Sequence, residues 1–169
     1  MSQLFSSRRL AISGLSIALY VVVMASTQSF AFGQYQIRIA TALYGLSAIF
    51  PFLILPFGIA NAASNLILGG LGLLDIVGGG IVGLLTTALI VYGKRLGLGN
   101  WIVGLSVTLV PGLGVPLWLS YILGIPYWVL ASSLLVGQCI CGVCSVLLVS
   151  ALVRVGAGSF AAAEGGENR

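Results

Sequence analysis

Charge is confined to a few points of this chain, and that confinement dictates what it can fold into. Arg8-Arg9 and Lys94-Arg95 form two basic clusters, and Arg154 and Arg169 lie near the end. Residues 10–93, 84 in all, carry only two charges, Arg38 and Asp75. Residues 96–153, 58 in all, carry none. Charged residues make up 6% of the chain and hydrophobic ones 59%, whereas a soluble domain carries roughly 25% charged residues. A mean hydropathy of +1.17 leaves too little polarity for a water-facing surface. The chain reads as an all-α, multi-pass membrane protein in a lipid bilayer, one domain over residues 1–155. Residues 156–169 are small, polar and charged without periodicity, and are expected to be a disordered cytoplasmic tail.

The net charge of +4 does not point to nucleic acid, because the basic residues flank apolar runs instead of forming one patch. It points to orientation: basic clusters mark the cytoplasmic side of spans. The pair Arg8-Arg9 before an apolar run resembles a twin-arginine signal, but the run from Leu10 to about Ala31 exceeds a signal core of roughly 7–15 residues. A first transmembrane helix is the preferred reading.

Each interval between basic clusters must hold an even number of crossings. At about 20 apolar residues per helix, residues 96–153 hold two, near Asn100–Leu123 and Pro126–Val153, separated at Gly124-Ile125-Pro126. Residues 10–93 hold four, near Leu10–Phe30, Ile39–Leu55, Phe57–Gly70 and Leu74–Val91. The expected fold is a bundle of six transmembrane helices with both termini cytoplasmic. The third span is short and expected to tilt. Pro111 and Pro116 should kink the fifth. Two crossings separate Arg38 from Asp75, so both belong at the outer end. Tyr35, Trp118, Tyr121 and Trp128 fall near that boundary, and Tyr92 and Trp101 near the inner one. Glycines cluster over Gly69–Gly80, which reads equally as broken backbone lining a cavity and as close helix packing of the Gly79/Gly83 kind.

The chain lacks the parts for catalysis. It has no His and one carboxylate, Asp75, outside the tail, so a metal site or an acid–base pair is missing its groups. No cofactor is expected. No Gly-rich Lys-Ser/Thr loop is present, so ATP is not hydrolysed by this chain. Cys139, Cys141 and Cys144 are poorly spaced for zinc and read as buried small residues, with Cys141 and Cys144 one turn apart. Arg38 and Asp75 remain. A charge inside a span costs about 2.5–3.5 kcal/mol at mid-membrane on insertion scales, so the two form either an outer salt bridge or a polar pocket. Gln34, Gln36, Thr41, Asn61, Asn65 and Gln138 could enlarge such a pocket, with Trp or Tyr stacking on a flat ligand.

The segment Gln36-Ile37-Arg38-Ile39-Ala40-Thr41-Ala42-Leu43 resembles the signature of the QueT family, in which a Phe-Arg-Ile-Ser-Glu-Ala-Leu-like string follows a Gln. Ala63-Ser64-Asn65-Leu66 and Gly72-Leu73-Leu74-Asp75-Ile76-Val77-Gly78 resemble the family's Ala-Asn-Leu and Gly-x-x-Asp-Val-Val-x-Gly strings. The resemblance covers roughly residues 33–89. It implies an S component of an energy-coupling factor (ECF) importer for queuosine precursors, which are deazaguanines. Its partners would be a transmembrane ECF scaffold and two ATPase subunits. It also implies that Gln36, Arg38, Thr41, Asn65, Asp75 and Gln138 line an outward ligand pocket, and that Gly14 and Ala18 form the small-xxx-small pair that docks the scaffold. Thr41 stands where the family-like pattern has Glu, which leaves Asp75 as the pocket's carboxylate. Two other classes compete on the residues alone: a self-sufficient oligomeric transporter or channel, and a ligand-free membrane scaffold subunit.

Overall fold

Proline, more than hydropathy, sets where the helices break. The computed structural model describes residues 7–31, 37–69 and 71–156. Helix α1 runs Ser7–Ser26 and α2 runs Gln28–Ala31. Between them the Ser26 and Thr27 hydroxyls donate to the carbonyls of Val22 (2.9 Å) and Val23 (2.7 Å), a back-bonding that bends helices.

The next element is a ten-residue 3-10 helix, Ile39–Ala48. It ends at Phe50, whose φ of −118° and ψ of 85° are extended. Phe50 precedes Pro51, and the ring of a proline forces the preceding residue out of the α region. A short 3-10 turn, Pro51–Leu53, then leads into α3, Ile54–Ser64. The expected boundary at Pro56 is therefore wrong. Pro56 sits in the first turn of α3, where its missing N–H would have had no intrahelical partner. Nor is the third span short: after α3 the helix widens into a π turn, Asn65–Gly69, and Pro51–Gly69 makes a predominantly apolar segment of 19 residues.

Gly72 makes the following turn at φ 87°, a conformation open to glycine at little cost. Helix α4 then runs Leu73–Arg95 without interruption. Among the described residues of the glycine stretch the irregular backbone thus lies before α4, and Gly78–Gly80 lie in regular helix. Helix α5, Trp101–Gly114, contains Pro111. Helix α6, Pro116–Leu123, restarts at its own proline, and the pair makes one interrupted segment. Helix α7 runs Tyr127–Arg154.

Five segments are long and apolar enough to cross a bilayer: Ser7–Ser26, Pro51–Gly69, Leu73–Arg95, Trp101–Leu123 and Tyr127–Arg154. The second expected span, Ile39–Leu55, is not among them: its first ten residues form the shorter apolar helix Ile39–Ala48 and its remainder opens the Pro51–Gly69 segment. Contacts at the two ends fix the directions: Ser7–Ser26, Pro51–Gly69 and Trp101–Leu123 run one way, and Leu73–Arg95 and Tyr127–Arg154 the other. At one end Arg9 stands over the Phe52 ring (5.7 Å), Ile54 and Arg95 share a cleft, and Asn100 bonds Ser150 (3.1 Å). At the other, Gln28 donates to the Leu68 carbonyl (3.3 Å) and Tyr127 to that of Leu113 (3.0 Å). The Arg9 and Lys94-Arg95 clusters therefore share one end.

The main core is a stack of large apolar side chains at mid-bundle. Tyr20 of α1, Tyr44 of the 3-10 helix and Phe57 of α3 form an aromatic trio. The Tyr20 and Tyr44 rings stack at 5.6 Å and their hydroxyls hydrogen-bond at 3.1 Å. Ile90, Val103, Val107 and Val149 extend the packing into α4, α5 and α7.

Candidate functional site

A four-residue row along the 3-10 helix organises the polar interior. In a 3-10 helix residues three apart eclipse one another. Arg38, Thr41, Tyr44 and Ser47 have that spacing and are all buried, at 3%, 1%, 0% and 0% exposure. Thr41 and Ser47 each donate to the carbonyl three residues back, Arg38 and Tyr44, at 2.7 Å.

Arg38 heads this row. Its Nη1 donates to Oδ1 of Asn65 (3.1 Å) and more weakly to Oδ1 of Asn61 (3.5 Å). Asn61 and Asn65 are four apart at the end of α3, which puts both carboxamides on one helix face. Each turns its oxygen to the guanidinium and its NH2 to the backbone of α4. Asn61 Nδ2 donates to the Gly79 carbonyl at 2.7 Å, and Asn65 Nδ2 to the Asp75 carbonyl at 2.8 Å. Those carbonyls can accept a second bond because each has two lone pairs. Gly79 is required here: a Cβ on it would run into Asn65 Nδ2. The same residues account for the Gly79/Gly83 pair, since Gly83 lets α4 lie against the Phe57 carbonyl and the Tyr44 hydroxyl.

Asp75 lies in the first turn of α4, where the aligned peptide dipoles favour a carboxylate. It is 1% exposed. Its Oδ1 accepts from the indole Nε1 of Trp118 at 3.1 Å, and the same ring lies flat on Gly78. Oδ2 is buried with no hydrogen-bond partner. A buried carboxylate oxygen in that state costs free energy and is the exception in native proteins.

On the far side of Arg38 the network reaches α7. Thr41 Oγ1 lies 3.0 Å from the Gln138 carboxamide, and the Cys141 thiol donates to the Arg38 carbonyl at 3.3 Å. A hydroxyl has one proton, so Thr41 gives it to Arg38 and accepts from Gln138 when that amide turns its NH2 inward.

Five of the six residues expected to line a pocket thus join one connected network: Arg38, Thr41, Asn65, Asp75 and Gln138. Gln36 lies outside the described residues, as do Gln34 and Tyr35. Arg38 and Asp75 share one end of the bundle, as the topology required, and the Asn65 carboxamide spans them. Gly14 and Ala18 lie elsewhere, on the exposed face of α1, where a Cβ on Gly14 would meet nothing within 4 Å. Two participants were read otherwise from the sequence: Trp118 looked like a boundary aromatic and Cys141 like inert packing. Asn61 takes the place expected of an amide that enlarges the polar cluster. Cys141 and Cys144 do not share an environment: the first is buried, the second exposed.

Among the described residues no group of three His, Cys, Asp or Glu could hold a metal ion. The network carries one cation, one carboxylate and three carboxamides, a set suited to reading hydrogen-bond edges. No curated protein and no solved structure matches the chain significantly. The family model described as QueT transporter matches residues 10–154, so this chain, with its five membrane-length helices, belongs to the QueT transporter family.

Proposed function

We propose that this chain is the substrate-binding S component of an ECF-type importer. It would take a queuosine precursor of the deazaguanine class, or a related flat base, from the outer side of the cell membrane. The observation that carries the reading is Asp75 Oδ2, a buried acceptor that the protein leaves unbonded, on a residue whose backbone carbonyl is held by the same Asn65 carboxamide that binds the Arg38 guanidinium. A heterocycle with an N–H edge supplies the missing donor. The carboxamides of Asn61 and Asn65 are held between the guanidinium and α4, so they fix the frame in which that edge is read.

The positive-inside rule supports the orientation. Arg9, Lys94 and Arg95 mark the cytoplasmic end, which leaves Arg38 and Asp75 outside. The six crossings are completed by Ile39–Ala48: at about 2.0 Å per residue a 3-10 helix reaches further than an α-helix of the same length. Both termini are then cytoplasmic. Residues 34–37 would close over the solute. Gly14 and Ala18 would receive the transmembrane scaffold on the exposed face of α1, and two ATPase subunits would drive the cycle. Thr41, in place of the family-like Glu, makes Asp75 the anionic anchor.

The test has two parts. Calorimetric titration of the purified chain with a deazaguanine base, adenine and a cationic vitamin tests the ligand class. Co-purification from the native host tests the partners. Saturable binding of the base, together with recovery of a scaffold and two ATPases, is expected. Self-association without either would instead support an autonomous transporter.

A further inference from the structure

We infer that a cleft on the lipid-facing side of the basic end binds an anionic phospholipid, with one acyl chain along α4 and the phosphate on Arg95. The inference is independent of the solute at the opposite end. The cleft measures about 440 Å3 and is lined by Ile54, Leu85, Ala88 and Leu89, with Tyr92 and Arg95 at its rim. Leu85 and Leu89 are 52% and 48% exposed. In a bilayer such an apolar surface is covered by acyl chain, which is as apolar as leucine. The headgroup is what the protein can select.

Three observations make that selection anionic. First, the neighbouring cations are differently employed. Lys94 Nζ donates to the Leu98 carbonyl (3.2 Å) and to Asn100 Oδ1 (3.1 Å), so it holds the turn after α4. Arg95 instead lines the cleft and is exposed. A guanidinium offers a planar fork that matches phosphate. Second, Asp75 is the one carboxylate among the described residues and lies at the other end of α4, so none of them competes for Arg95. Third, Arg9 stands over Phe52, two residues before Ile54, which places a second guanidinium at the same end. Basic pockets between helices on the cytoplasmic side suit anionic headgroups, and Tyr92, 64% exposed, has the interfacial character that accompanies them.

Native mass spectrometry of the full chain tests this, with phosphatidylglycerol and phosphatidylcholine of matched acyl length added in equal amounts. Wild type should retain phosphatidylglycerol preferentially. Arg95→Gln should reduce that preference about five-fold, and Lys94→Gln should leave it unchanged. Ala88→Trp, which fills the cleft, should lose adducts of both lipids. Melting temperatures in nanodiscs of the two lipids provide a second reading: the phosphatidylglycerol advantage should disappear in Arg95→Gln alone. Equal retention of the two lipids by wild type would overturn the inference, as would an unaltered preference in Arg95→Gln. If Ala88→Trp keeps its lipids but loses a protein partner, a helix and not a lipid occupies the cleft, and the inference is wrong.

Discussion

Asp75→Asn separates ligand recognition from folding more cleanly than any other single change in this chain. The substitution keeps the shape of the side chain and keeps an oxygen at the position that accepts from Trp118 Nε1 at 3.1 Å. It replaces Oδ2, the buried oxygen without a partner, by an NH2 that can only donate. If that oxygen meets a ligand N–H, the variant loses a hydrogen bond to a charged acceptor, about 1.5–3 kcal/mol, and Kd rises ~10- to 150-fold. The fold loses much less. The Trp118 bond weakens from a charged to a neutral acceptor, about 1 kcal/mol, or some 2–4 °C in melting temperature for a chain of this size. Calorimetric titration with a deazaguanine base, beside thermal unfolding in the same detergent, reads both quantities. A stable variant with unchanged Kd would refute the role of Oδ2. A variant that fails to fold would show that the carboxylate belongs to the architecture alone.

Three further outcomes follow from the packing. Gly79→Ala drives a methyl group into the Asn65 carboxamide; overpacking of this kind costs about 1–3 kcal/mol, and a variant as stable as wild type in thermal unfolding would contradict the close approach. Tyr44→Phe removes the 3.1 Å bond to Tyr20 and should cost about 1 kcal/mol, whereas Tyr20→Phe/Tyr44→Phe together should be no worse than either alone, since neither hydroxyl is then orphaned. Gly14→Leu projects into open space, so unfolding should shift by no more than about 0.5 kcal/mol while co-purification of a scaffold is lost; intact co-purification would remove α1 from the docking surface.

The outline of the fold was legible because lipid punishes misplaced charge. The basic clusters and the even-crossing argument put Arg38 and Asp75 at one end, and the hydrogen bonds through Asn65 bear that out. Span boundaries were less legible. Pro51 and Pro56 look alike to a hydropathy argument, yet only Pro51 follows a residue that could leave the helix; Pro56 falls where a first turn tolerates it. The site was half legible. Asn61 and Asn65 announce a shared face by their spacing of four, but Trp118 is 43 residues from Asp75 and only the packing of α6 against α4 joins them. The glycine run was ambiguous for a similar reason. Gly78 and Gly79 answer to particular partners, a Trp ring and a carboxamide, that no local pattern names.

The 3-10 winding of Ile39–Ala48 has a physical cause in its own sequence. Ten residues of 3-10 helix are unusual, because the hydrogen-bond geometry is poorer than in an α-helix. The alternative is worse here. An α-helix advances 100° per residue, so residues three apart fall 60° short of a full turn. Over Arg38, Thr41, Tyr44 and Ser47 the shortfall sums to about 180°, and Ser47 would point away from Arg38. Part of the row would then face acyl chains, where each unsatisfied polar group costs several kcal/mol. At three residues per turn the same four side chains stay in register and all are buried. There they meet Asn65, Gln138 and Tyr20. The period-three polar row and the 3-10 helix are thus one feature, in which a lipid solvent selects the winding that keeps every polar group inside. The same winding holds Arg38 between the carboxamides of α3 and the Thr41–Gln138 contact with α7, so the geometry of the site follows from the solvent around the bundle.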